Sequence, residues 1–445
     1  MSMLTLSSAT VAQRLAQYVC TLRYEAIPQD AVTQLKRVMT HDLIMGVLGS
    51  EAEETQRALE FIRGAAGSAG PATVIAQRVK ASPLDAAFAN AVMIRALRQE
   101  STMLPSGIHG MAIMLPVALA LAEALHKTGR EVVTALIAGH EVCGKLDHAG
   151  PEKRMIRTAS HTYGAFGVAA VAAKLLQLDE QQTTIALAYA GNLAVTITAG
   201  FEDHQYGLLA HNGLTAAYLG QARAPARVDA IEGVPGFYES QLAGPPSHLE
   251  EALAKLGVDY EVMNTVVKPF PCGLGATVAA AVLGRIVDDH RLQPEQITRI
   301  VVHRPSESND DYKHAKGPFP DKSRAISSVP LALAAVLVDG EVTLERLDNY
   351  NDPDVLRFAQ RVEFAEIAPG GMLYQRVQVD TRAGQSYVSE GDLKLLSAPD
   401  PRSIARAYRR AILSESRAIE LAEVVGRIEK LESIGELVRA LTPNV

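Results

Sequence analysis

Three stretches of this chain are apolar on every face at helical spacing: "GMAIMLPVALALAEAL" after His109, "YGAFGVAAVAAKLL" from Tyr163, and "TIALAYAGNLAVTI" from Thr184. A helix without a polar stripe has no face to give to water, so each must be surrounded by other elements. That requirement predicts a helical bundle with these segments at its centre. The third stretch, continued to "TIALAYAGNLAVTITAGF", carries Asn192, three threonines and two glycines, which fits a buried helix of a soluble protein better than a membrane span.

The helical reading runs almost unbroken from residue 8 to about 225. Ser82-Pro83 opens "SPLDAAFANAVMIRAL" with a capping serine and a proline suited to the first helical position. "YGAFGVAAVAAKLLQLDEQQ" and "TIALAYAGNLAVTI" read as a helical hairpin joined near Asp179. The pattern changes after "AIEGVPGFYESQLAG". "ITRIVVHRP" alternates as a strand, and "LYQRVQVDTRAGQSYVSE" reads as a hairpin turning at 382–385. The expected fold is therefore mainly α: a large all-helical domain over 1–264, a smaller α+β lid domain over 265–397, and a helical return to the first domain over 398–445.

The net charge of -7 comes without a basic block, so nothing points to nucleic acid or an anionic membrane surface. Cys20, Cys143 and Cys272 are far apart and odd in number, which argues against a disulfide framework and fits a reducing compartment. The N-terminus lacks a basic start followed by an apolar run, so a cytoplasmic location is expected. Phosphate-binding glycine loops, H-E-x-x-H, C-x-x-C and G-x-S-x-G are all missing from the sequence, which lowers the nucleotide-dependent, zinc-protease and serine-hydrolase readings.

The chemistry-bearing residues lie in polar interruptions of the apolar segments. "RQESTMLPSGIHG" supplies Arg98, Glu100, Ser101, Thr102, Ser106 and His109 just before a long buried helix. The N–H groups of that helix suit a carboxylate, and imidazole suits proton transfer near neutral pH. The plainer alternative is a loop whose histidine caps the helix or binds a buried carbonyl. "RTASHTYGAFG" repeats the pattern with Thr158, Ser160, His161 and Tyr163, and "FEDHQYGLLAHNGL" repeats it with Glu202, Asp203, His204 and His211. Three such patches at helix ends suggest one polar pocket. A metal held by Glu202, His204 and His211 is a weaker alternative, because no adjacent pattern completes the ligand set. "KPFPCGLGAT" adds Lys268 in a rigid segment at the domain junction, and Cys272, which reads as a small buried residue more than a nucleophile.

Six blocks in order, "DAAFANAVMIRAL", "GIHGMAIMLPVALALAEAL", "GAFGVAAVAAKLLQLDEQQ", "HNGLTAAYLGQARA" with "IEGVPGFYES", "KPFPCG" and "PLALAAVLVDGEVTLERL", make the chain resemble the MmgE/PrpD family of dehydratases, decarboxylases and epimerases. The resemblance implies a helical domain built from both chain ends, an α+β lid, a homodimer, and a pocket working without metal or organic cofactor on a small carboxylic acid.

Several positions depart from the family pattern. An Asp-rich stretch is reduced to "RQEST" with Glu100, although His109 is retained. Thr158 stands where the family carries a histidine, and Glu202-Asp203-His204-Gln205 where it carries Lys-Pro-Leu-His. Lys268 matches a family lysine, Thr277 replaces a histidine, and Tyr312 falls near a family tyrosine.

These exchanges remove positive charge, so the expected substrate is less anionic than citrate. The leading expectation is a cofactor-independent lyase or isomerase. His109 would act as acid or base, Lys268 would hold an oxyanion, and Glu202 or His161 would be the second proton carrier. Arg98, Glu100, Ser101, Thr102, Thr158, Tyr163, His204, Cys272 and Tyr312 are the expected substrate-binding set. The alternative is a diverged family member that keeps the fold for binding or assembly.

Overall fold

The computed structural model describes residues 9–66, 69–151, 159–194, 202–242, 244–305, 311–368, 373–393, 401–408 and 411–442. The chain divides into two compact units, one of 1–266 with 417–445 and one of 267–416. The fold is mainly α, with a smaller α+β region.

In the first unit the order is α1 (Val11–Thr21), α2 (Gln29–Gly49), α3 (Glu53–Ala66), the strand pair β1 (Ala72–Thr73) and β2 (Lys80–Ala81), α4 (Pro83–Arg95), β3 (Thr102–Met103) and α5 (Gly110–Ala124). There follow α6 (Gly129–His148), α7 (Ala159–Leu175), α8 (Glu180–Leu193), α9 (Glu202–Gln221), α10 (Phe237–Leu242), α11 (Leu249–Ala254) and β4 (Thr265–Val266). Every residue of α5 from Gly110 to Ala122 is buried, and the helix is enclosed by α4, α6, α7 and α9. This is the environment an all-round apolar helix requires. Ser82 caps α4 as its sequence suggests, accepting from the Asp85 N–H at 3.2 Å with Pro83 in the first turn. Asp179 caps α8 in the same manner, closing the α7–α8 hairpin.

Two approaches in this unit demand glycine. A Cβ at Gly49, the last residue of α2, would lie 2.0 Å from the Met93 carbonyl oxygen of α4. The bare backbone there lets α2 and α4 touch, and these helices carry two of the buried charges described below. At Gly129 a Cβ would meet the Ile428 carbonyl oxygen at 1.7 Å, which seats the returning C-terminal segment against the start of α6.

The second unit contains α12 (Leu274–His290), β5 (Ile297–Arg304), α13 (Lys322–Ser327), α14 (Val329–Asp339), α15 (Leu344–Asp348), α16 (Pro353–Ala359), β6 (Val362–Glu366), β7 (Gln375–Thr381), β8 (Ser386–Gly391) and α17 (Pro401–Tyr408). Its sheet runs β6-β5-β7-β8, with β5–β6 parallel and the other pairs antiparallel. α12 covers β7 and β8. β7 alternates buried and half-buried residues, as a strand with one covered face should. The β7–β8 turn is the one read from sequence, closed by the Thr381 N–H on the Gln385 carbonyl and by Gly384 at φ +76°.

Three features differ from the sequence reading. The region before 225 is not wholly helical, because β1–β2 and β3 interrupt it with two-residue pairings too short to show a period. β6, in "RVEFAE", reveals itself only by pairing with β5. The second unit extends to Ser416 rather than 397, since α17 packs on α15, and only α18 (Glu415–Gly426) and α19 (Gly435–Leu441) close the chain toward the first unit. Among the described residues, no helix is long and apolar enough to cross a membrane.

Candidate active site

The stretch 98–110 is mostly buried, with Pro105 at the surface, and much of its backbone is hydrogen-bonded. Arg98 leaves α4 at φ +55° with its N–H on the Arg95 carbonyl. β3 then pairs antiparallel with β4, Thr102 opposite Val266 and Met103 opposite Thr265, and Leu104 N–H reaches the Asn264 carbonyl at 3.0 Å. The chain turns back through Met103 and Ile108, whose N–H and C=O groups bond reciprocally at 2.7 and 2.9 Å, and delivers His109 to the N-cap position of α5. The polar run survives inside the core because sheet pairing satisfies its backbone.

His109 is the focus of a connected set of side chains. Its Nδ1 lies 3.0 Å from the Ser101 carbonyl oxygen, 3.1 Å from Glu100 Oε1 and 3.2 Å from Thr102 Oγ1. A nitrogen facing a carbonyl and a carboxylate must carry the proton, which fixes the Nδ1–H form of the neutral ring. Glu100 is fully buried and paired with Arg95. The Arg95 guanidinium lies 4.6 Å from the centroid of the Tyr206 ring, a cation–π distance, and the Tyr206 and His109 rings are 6.2 Å apart. Ser101 is held from α2, with N–H to Asp42 Oδ1 and hydroxyl to Asp42 Oδ2, both at 2.8 Å. The His109 side chain keeps 20% exposure where Glu100 behind it keeps none.

Of the residues singled out from sequence, Glu100, Ser101, Thr102 and His109 meet at this point. Arg98 is half-buried beside it. α7 begins at Ala159, so Tyr163 is inside a helix and fully buried, its ring centroid 5.9 Å from that of Phe237. His204 is half-buried on α9, which starts at Glu202, so the third polar patch is helix rather than the loop before one. Thr158 lies outside the described residues, as do the side chains of His161, Glu202 and Tyr312, whose backbones belong to α7, α9 and a 3-10 turn over Asp311–His314.

In the second unit Lys268 is buried just before α12. Cys272 is fully buried, bonds Thr277 Oγ1 at 3.3 Å, and has its thiol pushed up to about 11 by burial, so it is a poor nucleophile there. No group of three His, Cys, Asp or Glu side chains suited to a metal occurs among the described residues.

A family model for the MmgE/PrpD N-terminal domain matches residues 13–250, more than half of the chain. The chain belongs to the MmgE/PrpD family. Relatives extend the likeness beyond that domain. A cis-aconitate decarboxylase of Mus musculus is 25% identical over 463 residues, covering 97% of this chain and 93% of the relative. A cis-aconitate decarboxylase-like protein of Aspergillus oryzae is 24% identical over 372 residues, 76% and 75% of the two chains. Family and relatives together support a lyase of the dehydratase or decarboxylase type.

Sequence reasoning missed four members of the network around His109 or its support: His41, Asp42, Arg95 and Tyr206. The available signal was charge inside apolar helices, as in "VMTHDLIMG" and "AVMIRAL", where a buried ion must find a partner.

The same signal, "GHEVCGKLDH" on α6, marks a second buried network behind β4. Lys145 Nζ bonds Glu261 Oε1 at 2.5 Å and the Asp259 carbonyl at 2.6 Å. His148 Nε2 and Asn264 Nδ2 each lie 3.2 Å from Glu261 Oε2. Glu141 accepts the N–H groups of Glu261 and Gly257 at 2.6 and 3.2 Å. The network opens to solvent through a cleft of about 410 Å³ between His148, His248 and Lys255.

Burial outweighs the favourable contacts of Glu141 and pushes its carboxyl from 4.5 up to about 7. For Glu261 burial acts the same way, yet hydrogen bonds from His148 and Lys145 overcome it and leave the carboxyl below its ordinary value. The His148 imidazole is held up chiefly by its bond to Glu261. Glu141 holds a proton in the folded state that the unfolded chain gives up near 4.5, so its stabilising contribution is full below 4.5 and is lost as pH rises through about 7. The Glu141→Gln variant should therefore show a smaller fall in thermal stability between pH 5 and pH 8 than the parent, by on the order of 2 kcal/mol. Parallel melting curves across that range check it; equal slopes would mean Glu141 ionises normally.

Proposed function

We propose that this chain is a lyase in which His109 exchanges a proton at a carbon next to a carboxylate or carbonyl of a small organic acid. One observation carries the reading: Ser101 and Glu100 fix the proton on Nδ1, so the basic lone pair belongs to Nε2 of a partly exposed ring at the mouth of α5. In dehydration, Nε2 would take the proton on carbon as hydroxide leaves the adjacent carbon with its bonding electrons. In decarboxylation, carbon dioxide departs and leaves an electron pair on carbon, which then takes a proton from the protonated ring. The first-turn N–H groups of α5 begin at the next residue and suit a substrate carboxylate.

The charge around His109 favours a substrate less anionic than citrate. The charged side chains described around His109 include the carboxylates of Asp42, which serves Ser101, and Glu100, which pairs with the Arg95 guanidinium. Thr158, Glu202 and Thr277 further replace cationic or imidazole positions of the family. Glu202 or His161 is the candidate second proton carrier. Nothing in the proposal calls for a metal or organic cofactor.

The test is incubation of the protein in deuterium oxide with hydroxy-, keto-, amino- and unsaturated carboxylic acids of one, two and three carboxyl groups, followed by NMR. The expected result is deuterium incorporation or turnover with a mono- or dicarboxylate. Exchange confined to tricarboxylates would overturn the charge argument, and no exchange across the panel would favour a binding or assembly role for this fold.

A further inference from the structure

Asp42 is linked to His109 only through Ser101. Asp42 is fully buried on α2, followed by an unbroken run of buried apolar residues from Leu43 to Leu48, where a carboxylate is costly unless it serves several donors. It does serve several. Its Oδ1 receives the Ser101 N–H at 2.8 Å and lies 2.9 Å from His41 Nδ1, and its Oδ2 receives the Ser101 hydroxyl at 2.8 Å.

The two bonds to Ser101 grip one residue by main chain and side chain together. The remaining polar group of Ser101, its carbonyl, is the acceptor for His109 Nδ1. On the downstream side Thr102 and Met103 are locked by pairing with β4. Asp42 thus fixes the N–H and side-chain side of Ser101 and the β4 pairing fixes the chain after it, so the carbonyl between them is held from both sides. Its neighbour Glu100, the other acceptor near Nδ1, is held by Arg95 and shares the same peptide unit with Ser101.

We propose that Asp42 is a positioning residue for His109: by holding Ser101 through its N–H and its hydroxyl, it aims the carbonyl that keeps the imidazole proton on Nδ1 and presents Nε2 to substrate. The proposal rests on the reading of His109 as the proton carrier, but its structural half is testable without any substrate.

The experiment is long-range 1H–15N correlation of the imidazole signals in the full chain, with His109 assigned by its loss in His109→Asn. In the parent, the His109 pair should read as protonated Nδ1 and unprotonated Nε2. Asp42→Asn keeps an oxygen for the Ser101 N–H and should preserve that pattern. Asp42→Ala should move both signals toward a mixture of the two ring forms and lower kcat roughly 10- to 100-fold with little change in KM, the cost of a misaligned proton carrier. Unmoved His109 signals in folded Asp42→Ala would overturn the proposal. If Asp42→Ala does not fold, the decision passes to Ser101→Ala, which removes one of the two bonds: shifted signals support Asp42's role and unshifted ones overturn it. A parent with the expected ring signature but no turnover on any acid would sink the lyase reading and leave the positioning role standing. Turnover with His109 signals indifferent to Asp42 would do the reverse.

Discussion

Replacing His109 by Asn should lower deuterium incorporation or turnover by about 10²- to 10⁴-fold, the usual worth of a positioned acid–base group. The substitution separates chemistry from architecture. An Asn amide nitrogen can occupy the place of Nδ1 and donate to the Ser101 carbonyl, so the buried acceptors keep a donor. Asn is also a favoured N-cap residue, and His109 occupies that position without a side-chain capping bond of its own. The variant should therefore melt within a few degrees of the parent while losing the lone pair that Nε2 supplies. Rates and circular-dichroism melts measured on the same samples decide the matter. A loss below about tenfold in a well-folded variant would show that another group carries the proton.

The largest stability effect is expected at Lys145. Its ammonium is buried to 2% exposure and serves Glu261 directly, the Asp259 carbonyl, and Glu141 at 3.8 Å. Lys145→Met keeps most of the volume and removes the charge, which leaves two buried carboxylates with only His148, Asn264 and backbone N–H groups between them. Breaking a buried ion pair from one side costs about 3–5 kcal/mol, much of it the penalty on the charge left behind. A fall in melting temperature of several degrees is expected, larger at pH 8 than at pH 5, because protonation of Glu141 relieves part of the repulsion at the lower pH. Adding Glu261→Gln to Lys145→Met should recover part of the loss. If the single variant melts like the parent, water entering through the adjacent cleft must be screening the carboxylates, and the network is not a structural lock.

This network also adjoins the candidate site by covalent continuity. Glu261 and Asn264 lie in the 3-10 turn that runs directly into β4, and β4 is the strand that pairs with β3 next to Ser101. Lys145→Met should loosen that pairing, so its His109 ring signals are worth recording alongside its melt.

The helical class, the central position of α5, the Ser82 cap, the α7–α8 hairpin joined near Asp179 and the β7–β8 hairpin were all legible from the chain. Each rests on local information: a period of apolar residues, a capping side chain next to the helix it caps, or a turn flanked by alternation. His109 was legible for a related reason, since a polar run that interrupts two buried helices has to be explained by something. Resemblance to the family rested on the order of the blocks, and the match over 13–250 bears out the family.

What the tertiary structure alone decided is which polar residues meet. Asp42 and Ser101 are 59 positions apart, and Lys145 and Glu261 are 116 apart. β3 and β4 are two residues each, too short to carry a period, and become strands only because distant segments satisfy one another's backbone. Tyr163 looked like a member of a polar patch, whereas Tyr206 was not singled out from sequence. Helix phase sent Tyr163 into an aromatic cluster with Phe237 and Tyr206 to the face of Arg95. Local sequence fixes how each segment coils and which face is apolar, whereas the pairing of buried charges depends on how helices stack, and that is settled only when the whole core closes around them.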